Sequence, residues 1–331
     1  MNVLITGGAG FMGSDFARFM ANKYHQHNFI IYDKLTYAGD IRNLKDIQDK
    51  PNYKFVKGDV CDFKFLIGIL KDVDCIFNLA AESHVDNSIG NSLIFTMSNT
   101  YGTHVLLEAA RLNNIKKFVH VSTDEVYGDI ENGSFKEKSI LSPNNPYSAS
   151  KAGAEMIARS YYKTYKMPIV IVRGNNVFGP YQYPEKIIPK FITKLLEDKK
   201  IPLHGSGSNI RTYIYAEDFS NALDAIFNKG EIGEIYNIGT SDELSNLEIA
   251  KLILKSMGKD ESYIEFVEDR PFNDKRYSIN IRKLKMLGWK QEYKFEQGLD
   301  KTIGWYKENK NWWEGKTNNN PRNNPRARQY E

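Results

Sequence analysis

The chain has 331 residues, of which 41% are hydrophobic and 26% charged, and a formal net charge of +4. This balance indicates a folded globular protein of one large or two unequal domains, and the small charge gives no reason to expect nucleic acid as a partner. No apolar run reaches the roughly 20 residues of a membrane helix, and Met1 leads directly into an apolar stretch without a leader peptide. We therefore expect a cytoplasmic protein without a membrane partner, with Cys61 and Cys75 as reduced thiols.

Strands and helices alternate along the N-terminal half of the chain. Short apolar runs predict strands at 2–6, 29–33, 53–56, 75–79, 118–122 and 169–173. Apolar residues at helical spacing predict helices at 14–24, 92–113 and 147–165. This alternation predicts right-handed crossovers and a doubly wound parallel sheet of the α/β class, with helices on both faces.

The pattern becomes irregular after Arg173, where prolines and short helices at 187–197, 216–228 and 246–257 predict a smaller lobe. We interpret residues 1–175, with interleaved later segments, as a dinucleotide-binding domain and residues 176–315 mainly as a substrate-binding lobe. Residues 316–331 are rich in Asn, Pro and Arg, and we expect them to be disordered.

A glycine-rich turn follows the first predicted strand. Gly7, Gly10 and Gly13 form G-x-x-G-x-x-G, which allows a tight turn and brings a pyrophosphate close to the backbone and to the N-terminus of the next helix. Asp33, 20 residues after Gly13, ends the second predicted strand. A carboxylate there accepts both hydroxyls of the adenosine ribose and repels a 2′-phosphate. The sequence therefore predicts a Rossmann-like fold that binds NAD rather than NADP.

Two short segments carry the residues expected to act in catalysis. Tyr147 and Lys151 lie four residues apart on one face of a predicted helix, so the ammonium group is expected to lower the pKa of the phenol from ~10. Tyr147 can then remove a proton from a sugar hydroxyl while hydride leaves to NAD. Thr123, Asp124 and Glu125 end the preceding strand, and repulsion between the two adjacent carboxylates favours protonation of one of them.

On these motifs, residues 1–315 resemble the extended short-chain dehydrogenase/reductase superfamily and, more narrowly, the nucleotide-diphosphate-glucose 4,6-dehydratases. Many sugar epimerases of this superfamily have Ser-Ser or Ser-Thr followed by small residues where the dehydratases have Thr-Asp-Glu. The resemblance implies a hydro-lyase that oxidises C4, eliminates water across C5 and C6 and returns hydride to C6. It assigns the C4 oxygen to Thr123, protonation of the C6 hydroxyl to Asp124 and removal of the C5 proton to Glu125. It also implies a homodimer that pairs through helices 92–113 and 147–165.

The resemblance further implies two sets of binding residues and no metal site. The expected cofactor-binding residues are Gly7, Gly10, Phe11, Met12, Gly13, Asp33, Lys34, Leu35, Thr36, Asp59, Val60, Ala80, Ala81, Ser83, Ser98, Tyr147, Lys151 and Val177. The expected substrate-binding residues are His84, Thr123, Asn176, Lys186, Ile187, Pro202, His204, Arg211, Asn246, Arg270 and Asn273. Arg211 and Arg270 suit a pyrophosphate because guanidinium groups pair with phosphate oxygens.

The sequence is compatible with two substrates, dTDP-glucose and UDP-glucose. The segment from Arg270 to Asp274 is similar to that of UDP-glucose 4,6-dehydratases of rhamnose synthesis, whereas 295–299 and Trp305-Tyr306 resemble the dTDP-glucose enzymes. Thymine and uracil differ by one methyl group, which is worth only ~1 kcal/mol in a pocket. We favour dTDP-glucose and keep UDP-glucose as the alternative.

Two other classes of protein compete with the dehydratase. A sugar-nucleotide epimerase or decarboxylase of the same fold has no need of Asp124 and Glu125, so it should stay active when both are replaced. A NAD-binding regulator without activity is expected to lack the Tyr-Lys pair or the acidic pair. All four residues are present here.

Overall fold

The computed structural model describes residues 1–269 and 274–317. In chain order the strands are β1 (Asn2–Thr6), β2 (Asn28–Asp33), β3 (Tyr53–Lys57), β4 (Cys75–Asn78), β5 (Lys117–Thr123), β6 (Ile169–Gly174), β7 (Asn176–Phe178), β8 (Ile201–His204), β9 (Ile210–Tyr215), β10 (Ile235–Ile238), β11 (Glu243–Ser245) and β12 (Ile264–Val267). The α-helices are α1 (Phe11–Lys23), α2 (Phe63–Ile69), α3 (Val85–Gly90), α4 (Ser92–Phe95), α5 (Gly102–Leu112), α6 (Pro146–Tyr165), α7 (Ile187–Leu196), α8 (Ala216–Lys229), α9 (Asn246–Met257), α10 (Arg282–Met286), α11 (Phe295–Glu308) and α12 (Lys310–Trp313). Short 3-10 helices lie at Ile41–Ile47, Asp124–Tyr127 and Glu261–Tyr263, and a π-helical turn at Thr96–Tyr101 joins α4 to α5.

The larger sheet has seven parallel strands in the order β10-β6-β5-β4-β1-β2-β3. The chain winds outward in both directions from β1, so the predicted doubly wound α/β fold is confirmed. In such sheets a ligand binds at the carboxyl edge where the strand order reverses, here between β1 and β4. The glycine turn leaves β1 at this point, and Ala80 and Ala81 follow β4 beside it.

Alternate residues of the sheet strands enter two separate cores, as the two-residue period of a strand requires. Val3 and Ile5 pack with Phe16 of α1 and Ala222 of α8 on one face. Leu4 packs with residues of α2, α5 and α6 on the other. Burial on both faces explains why these strands are continuous apolar runs.

The second lobe has a core of its own. Strands β11, β9 and β7 form one small sheet, and β12 and β8 form another. Helices α7, α9 and α11 cover them with an apolar cluster that includes Phe191, Ile253 and Leu299. Because β6 ends at Gly174 and β7 begins at Asn176, the chain passes from the large sheet into this lobe at Asn175.

Some elements differ from those predicted. Helix α1 begins at Phe11 rather than Ser14, and the predicted helix 92–113 contains the π-helical turn. Several elements were not predicted, among them helices α2 and α11 and strands β8, β9 and β10. Phe295, Leu299, Ile303 and Tyr306 do recur at helical spacing, so α11 could have been predicted from its sequence. Among the described residues, each helix is too short or too polar to cross a lipid bilayer.

Candidate active site

One continuous cavity of about 410 Å³ follows the carboxyl edge of the large sheet and extends into the second lobe. The glycine turn, the ends of β2, β4 and β5 and the start of α6 form its first half. Residues of α7, β8 and β9 form its second half. The cavity therefore joins the predicted cofactor site to the predicted substrate site.

The glycine turn leaves no room for side chains. Gly7 has a φ of 65°, and a Cβ atom on it would lie 2.7 Å from the Cα of Ala80. A Cβ on Gly13 would lie 2.1 Å from the carbonyl oxygen of Gly7. Gly10 caps α1 without a side-chain hydrogen bond, and no acidic residue occupies the first turn. The first N–H groups of α1 have no carbonyl partner within the helix and suit a pyrophosphate, so the residues present fit a dinucleotide.

Residues at the end of β2 and after β3 form the part of the first half of the cavity where the adenosine ribose is expected. Asp33 accepts hydrogen bonds from the backbone N–H groups of Ala9 (2.9 Å) and Leu35 (2.7 Å), and burial raises the pKa of its carboxyl group. Lys34 pairs with Asp59 at 2.5 Å. Leu35 was expected to bind cofactor, but it does not line the cavity and instead supports Asp33 through its N–H group.

Thr123 and Asp124 lie where β5 passes into a 3-10 turn. The Thr123 hydroxyl accepts from the N–H of Glu125 and donates to Oδ1 of Asp124, both at 3.2 Å. The amide of Asn175 donates to Oδ2 of Asp124 at 2.6 Å. Burial, together with the charge of Glu125, raises the pKa of Asp124 to about 7. Asp124 itself does not line the cavity, but it contacts Thr123 and Asn175, which do.

Glu125 faces the cavity directly and is tied to the start of α6. The amide of Asn145 donates to its Oε2 at 3.2 Å, while Oδ1 of the same Asn145 accepts from the N–H of Ser148 and caps α6. Burial raises the pKa of Glu125, and the charges of Lys186 and Arg211 act against this rise. The cap of α6 therefore also positions a carboxylate of the site.

Tyr147 and Lys151 both line the cavity, as their spacing predicts. Burial and the nearby charge of Glu125 raise the pKa of the Tyr147 phenol, so the lower pKa expected from Lys151 is not found. The Lys151 ammonium donates to the carbonyl oxygen of Val121 at 2.7 Å. Burial lowers the pKa of Lys151 to about 8, against the charge of Glu155.

Cationic side chains line the second half of the cavity, among them Lys186, Lys190 and Arg211. Lys186 donates to the carbonyl oxygen of Ser83 at 2.7 Å, and the Arg211 guanidinium lies 4.6 Å from the ring centre of Tyr277. The other lining residues that were predicted for substrate are His84, Thr123, Asn176, Ile187, Pro202, His204 and Asn246. The predicted residues Arg270 and Asn273 lie outside the described residues, as do positions 318–331 of the segment 316–331 that was expected to be disordered. Lys316, at the start of that segment, is described and pairs with Asp40 at 2.7 Å.

The sequence interpretation did not include several residues of the cavity wall. Asn175 follows β6 directly, a position where ligand contacts are common. Asp274 and Tyr277 are hydrogen-bonded to each other and lie near Glu125. Glu185 is adjacent to Lys186, and burial raises its pKa to about 7. Of these, only Asn175 could have been found from its place after a predicted strand.

The fold and the cavity define a doubly wound dinucleotide-binding protein of the short-chain dehydrogenase/reductase type, with an acidic pair beside the Tyr-Lys pair. Residues 4–302 match the family model described as GDP-mannose 4,6 dehydratase, and the chain belongs to this family.

Known relatives agree with this assignment. The chain is 49% identical over 319 residues to an Arabidopsis thaliana trifunctional UDP-glucose 4,6-dehydratase/UDP-4-keto-6-deoxy-D-glucose 3,5-epimerase/UDP-4-keto-L-rhamnose-reductase. The matched region covers 94% of this chain and 48% of that protein. The chain thus spans about half the length of this relative. It is 45% identical to the dTDP-D-glucose 4,6-dehydratase of Dictyostelium discoideum, over 94% of this chain and 82% of that one. A crystal structure of the dTDP-glucose 4,6-dehydratase DesIV from Streptomyces venezuelae with NAD bound superposes with a TM-score of 0.93, at 44% identity over 96% of this chain and 100% of that one.

Proposed function

We propose that this protein is a NAD-dependent hydro-lyase that converts dTDP-glucose to dTDP-4-keto-6-deoxyglucose and water. The observation that carries the proposal is the position of Glu125 and the buried Asp124 beside Tyr147 and Lys151, in a cavity that begins at the glycine turn. An alcohol oxidation needs only the Tyr-Lys pair, whereas an elimination of water needs an acid and a base as well.

The cofactor end supports NAD. Gly7, Gly10 and Gly13 leave space for a pyrophosphate, and Asp33 would hold the adenosine ribose. When bound, NAD supplies reversible hydride transfer, so the overall dehydration consumes no external oxidant.

The oxidation step is assigned to the helix α6 pair. Tyr147 takes the proton of the C4 hydroxyl, and Thr123 hydrogen-bonds the C4 oxygen from the end of β5. Burial raises the pKa of Tyr147, so a positive charge near the phenol is needed when the proton leaves. Lys151, with a pKa of about 8, keeps its charge at neutral pH and is the nearest such group along the helix.

The elimination step is assigned to the two adjacent acids. The C4 ketone acidifies the C5 proton, which Glu125 removes as base. The C6–O bond then breaks, and the departing hydroxyl takes a proton from Asp124 and leaves as water. Return of the hydride to C6 and of the proton from Glu125 to C5 would complete the 4-keto-6-deoxy sugar. A pKa of about 7 keeps a share of Asp124 protonated at neutral pH. Asp124 meets the cavity through the Thr123 hydroxyl, which donates to Oδ1 of the carboxylate. Once Asp124 is protonated, this hydroxyl would turn to accept from it and pass a proton to the leaving group.

The nucleoside diphosphate is assigned to the second half of the cavity. Lys186 and Arg211 would bind the pyrophosphate, together with Asn246, while Pro202 and His204 would line the base. UDP-glucose is the second candidate substrate, because the 49% identical Arabidopsis relative is named for UDP-glucose 4,6-dehydratase activity.

We also propose a cytoplasmic homodimer. Four large apolar residues from α3 to the π-helical turn before α5 are 46–58% exposed, namely Ile89, Leu93, Met97 and Tyr101. A second copy of the chain would cover this surface. Both cysteines are free thiols, as expected in a reducing compartment. Sedimentation equilibrium of the purified chain tests the dimer.

The test of the reaction uses purified protein without added NAD. We would incubate it separately with dTDP-glucose and UDP-glucose and follow the alkali-induced 4-keto chromophore and the loss of water by mass spectrometry. Product from one nucleotide identifies the base, and Glu125→Gln should stop its formation while the exposed Glu265→Gln should not. No product from either nucleotide, even with NAD added, would contradict the proposed function.

A further inference from the structure

A segment at the end of the described chain reaches the wall of the cofactor half. We define residues 309–317 as the C-terminal strap and residues 34–43 as the ribose loop. The strap follows α11, whose apolar face packs in the second lobe, and then crosses to the ribose loop. It therefore connects the two halves of the molecule next to the dinucleotide site.

The ribose loop forms one side of that site. Lys34, Thr36, Ala38 and Gly39 line the cavity. The loop is held to the glycine turn through Ala9, whose carbonyl oxygen accepts from the N–H of Asp40 at 3.0 Å. A displacement of the loop would thus open the site where the adenosine ribose is expected.

Trp312 of the strap contacts the ribose loop where that loop is hydrogen-bonded to Ala9. The indole Nε1–H donates to Oδ1 of Asn43 at 2.8 Å, and Nδ2 of Asn43 donates to the same carbonyl oxygen of Ala9 at 2.8 Å. Asn43 is 1% exposed and Trp312 is 7% exposed. The indole therefore fixes the orientation of the amide that bonds to the glycine turn.

Lys316 provides a second attachment. Its ammonium group lies 2.7 Å from Oδ2 of Asp40 and 3.5 Å from the ring centre of Trp312. Both charged side chains are only 15% exposed, so solvent screens this pair less than a surface pair. Arg42 also donates to Oδ1 and Oδ2 of Asp40, both at 3.0 Å, so Asp40 binds one cation from the ribose loop and one from the strap.

The opposite side of the strap is anchored in the second lobe. The ring of Trp312 lies 5.1 Å from that of Trp305 and 5.8 Å from that of Tyr181. The neighbouring Tyr306 donates to the carbonyl oxygen of Gln182, a residue that lines the cavity. The strap is thus a rigid connection rather than a loose end.

We propose that the C-terminal strap holds the ribose loop against the glycine turn and so limits the rate at which NAD leaves the protein. Trp312 and Lys316 are positioning residues for the cofactor. The inference rests on the proposed function, in which NAD stays bound from one turnover to the next. It extends that function by naming the residues that retain the cofactor.

The test measures NAD release from the full-length protein loaded with NAD. Trp312→Phe keeps the aromatic packing and removes the Nε1–H donor, and Lys316→Met keeps the aliphatic stem and removes the charge. Lys310→Met is the matched control, because Lys310 is an exposed lysine of the same segment whose ion pair within the described residues is with Glu314. Timed gel filtration and quantification of bound NAD give the release rate, and calorimetry with dTDP reports the second half of the cavity.

We expect both strap variants to release NAD about tenfold faster, the factor that accompanies the loss of one net hydrogen bond. The control should match the wild type, and the affinity for dTDP should not change in any variant. Release at the wild-type rate from both strap variants would overturn the inference and leave the proposed function intact. The inference would also be overturned if the strap variants lost NAD, bound dTDP more weakly and unfolded at a lower temperature, because this combination indicates general destabilisation. A wild-type protein that binds no NAD would overturn both.

Discussion

The side-chain amide of Asn175 donates to Oδ2 of Asp124 across 2.6 Å, and these two residues are 4% and 2% exposed. The bond favours the carboxylate, whereas burial and the charge of Glu125 favour the neutral acid. Burial is the larger effect, so the pKa of Asp124 rises to about 7. Asn175 joins β6 of the large sheet to β7 of the second lobe. The pKa of Asp124 therefore depends on a residue that lies where the two lobes meet.

The first prediction concerns the pH dependence of turnover. Since Asp124 must be protonated to act as the acid, kcat should fall as the pH rises through about 7. Asn175→Ala removes a hydrogen bond that lowers the pKa of Asp124, so this alkaline limb should move upward by about one pH unit. The measurement is kcat from pH 5.5 to 9 by mass spectrometry of the product.

The control for this shift is Glu265→Gln, an exposed position on β12, whose profile should match that of the wild type. An alkaline limb that stays in place or moves downward in Asn175→Ala would show that another group controls it. A fall of kcat at all pH values without a shift would mean that Asn175 only supports the fold.

The second prediction concerns stability. The pKa of Asp124 is higher in the folded protein than in the unfolded chain, so its ionisation opposes folding. This cost is absent below about pH 4, grows as the pH rises to about 7 and is constant above that value. Asp124→Asn carries no such cost, and its free energy of unfolding at pH 8 should exceed that of the wild type by a few kcal/mol, on the order expected for a buried acid. Urea unfolding at pH 4.5 and pH 8 measures the difference.

Asp49→Asn serves as the control because Asp49 is exposed, and it should not change stability at either pH. The gain in Asp124→Asn should be small at pH 4.5 and accompany a loss of dehydratase activity. An equal gain at both pH values would argue against ionisation as its cause.

The large sheet and the glycine turn could be predicted from the sequence because both depend on local patterns. The two-residue period of the strands and the spacing of Gly7, Gly10 and Gly13 are visible along the chain. The parallel order of strands β1 to β6 then brings the ends of these strands to one edge. Most predicted site residues therefore line one cavity.

Contacts between distant segments could not be predicted in the same way. Asn43 and Trp312 are 269 residues apart, and neither belongs to a motif. The helical spacing of Tyr147 and Lys151 placed them together, but it said nothing about burial, which raises the pKa of the phenol instead of lowering it. Asn145 was overlooked because its capping role is local while its bond to Glu125 spans 20 residues.

The third prediction tests the glycine turn. Gly7→Ala forces a side chain into a conformation with a φ of 65° and places a Cβ 2.7 Å from Ala80, so the protein should lose NAD and unfold at a lower temperature. Gly68→Ala is the matched substitution in α2, where a Cβ meets nothing within 4 Å. It should raise stability by about 0.5–1 kcal/mol and leave NAD binding unchanged. Bound NAD after gel filtration and the thermal midpoint separate the two results, and full NAD retention by Gly7→Ala would refute the assigned pyrophosphate site.

The last prediction concerns a buried ion pair beneath the catalytic helix. Glu155 lies one turn after Lys151 on α6 and contacts Arg173 at 2.6 Å, with both partners at most 1% exposed. Glu155→Met leaves the guanidinium without its counter-charge and should reduce the free energy of unfolding by about 3–5 kcal/mol. The double variant Glu155→Met/Arg173→Met should be less destabilised than the single one, because no unpaired charge stays buried. Urea unfolding of the wild type, both single variants and the double variant completes the cycle, and additive losses would show that the two charges are stabilised independently.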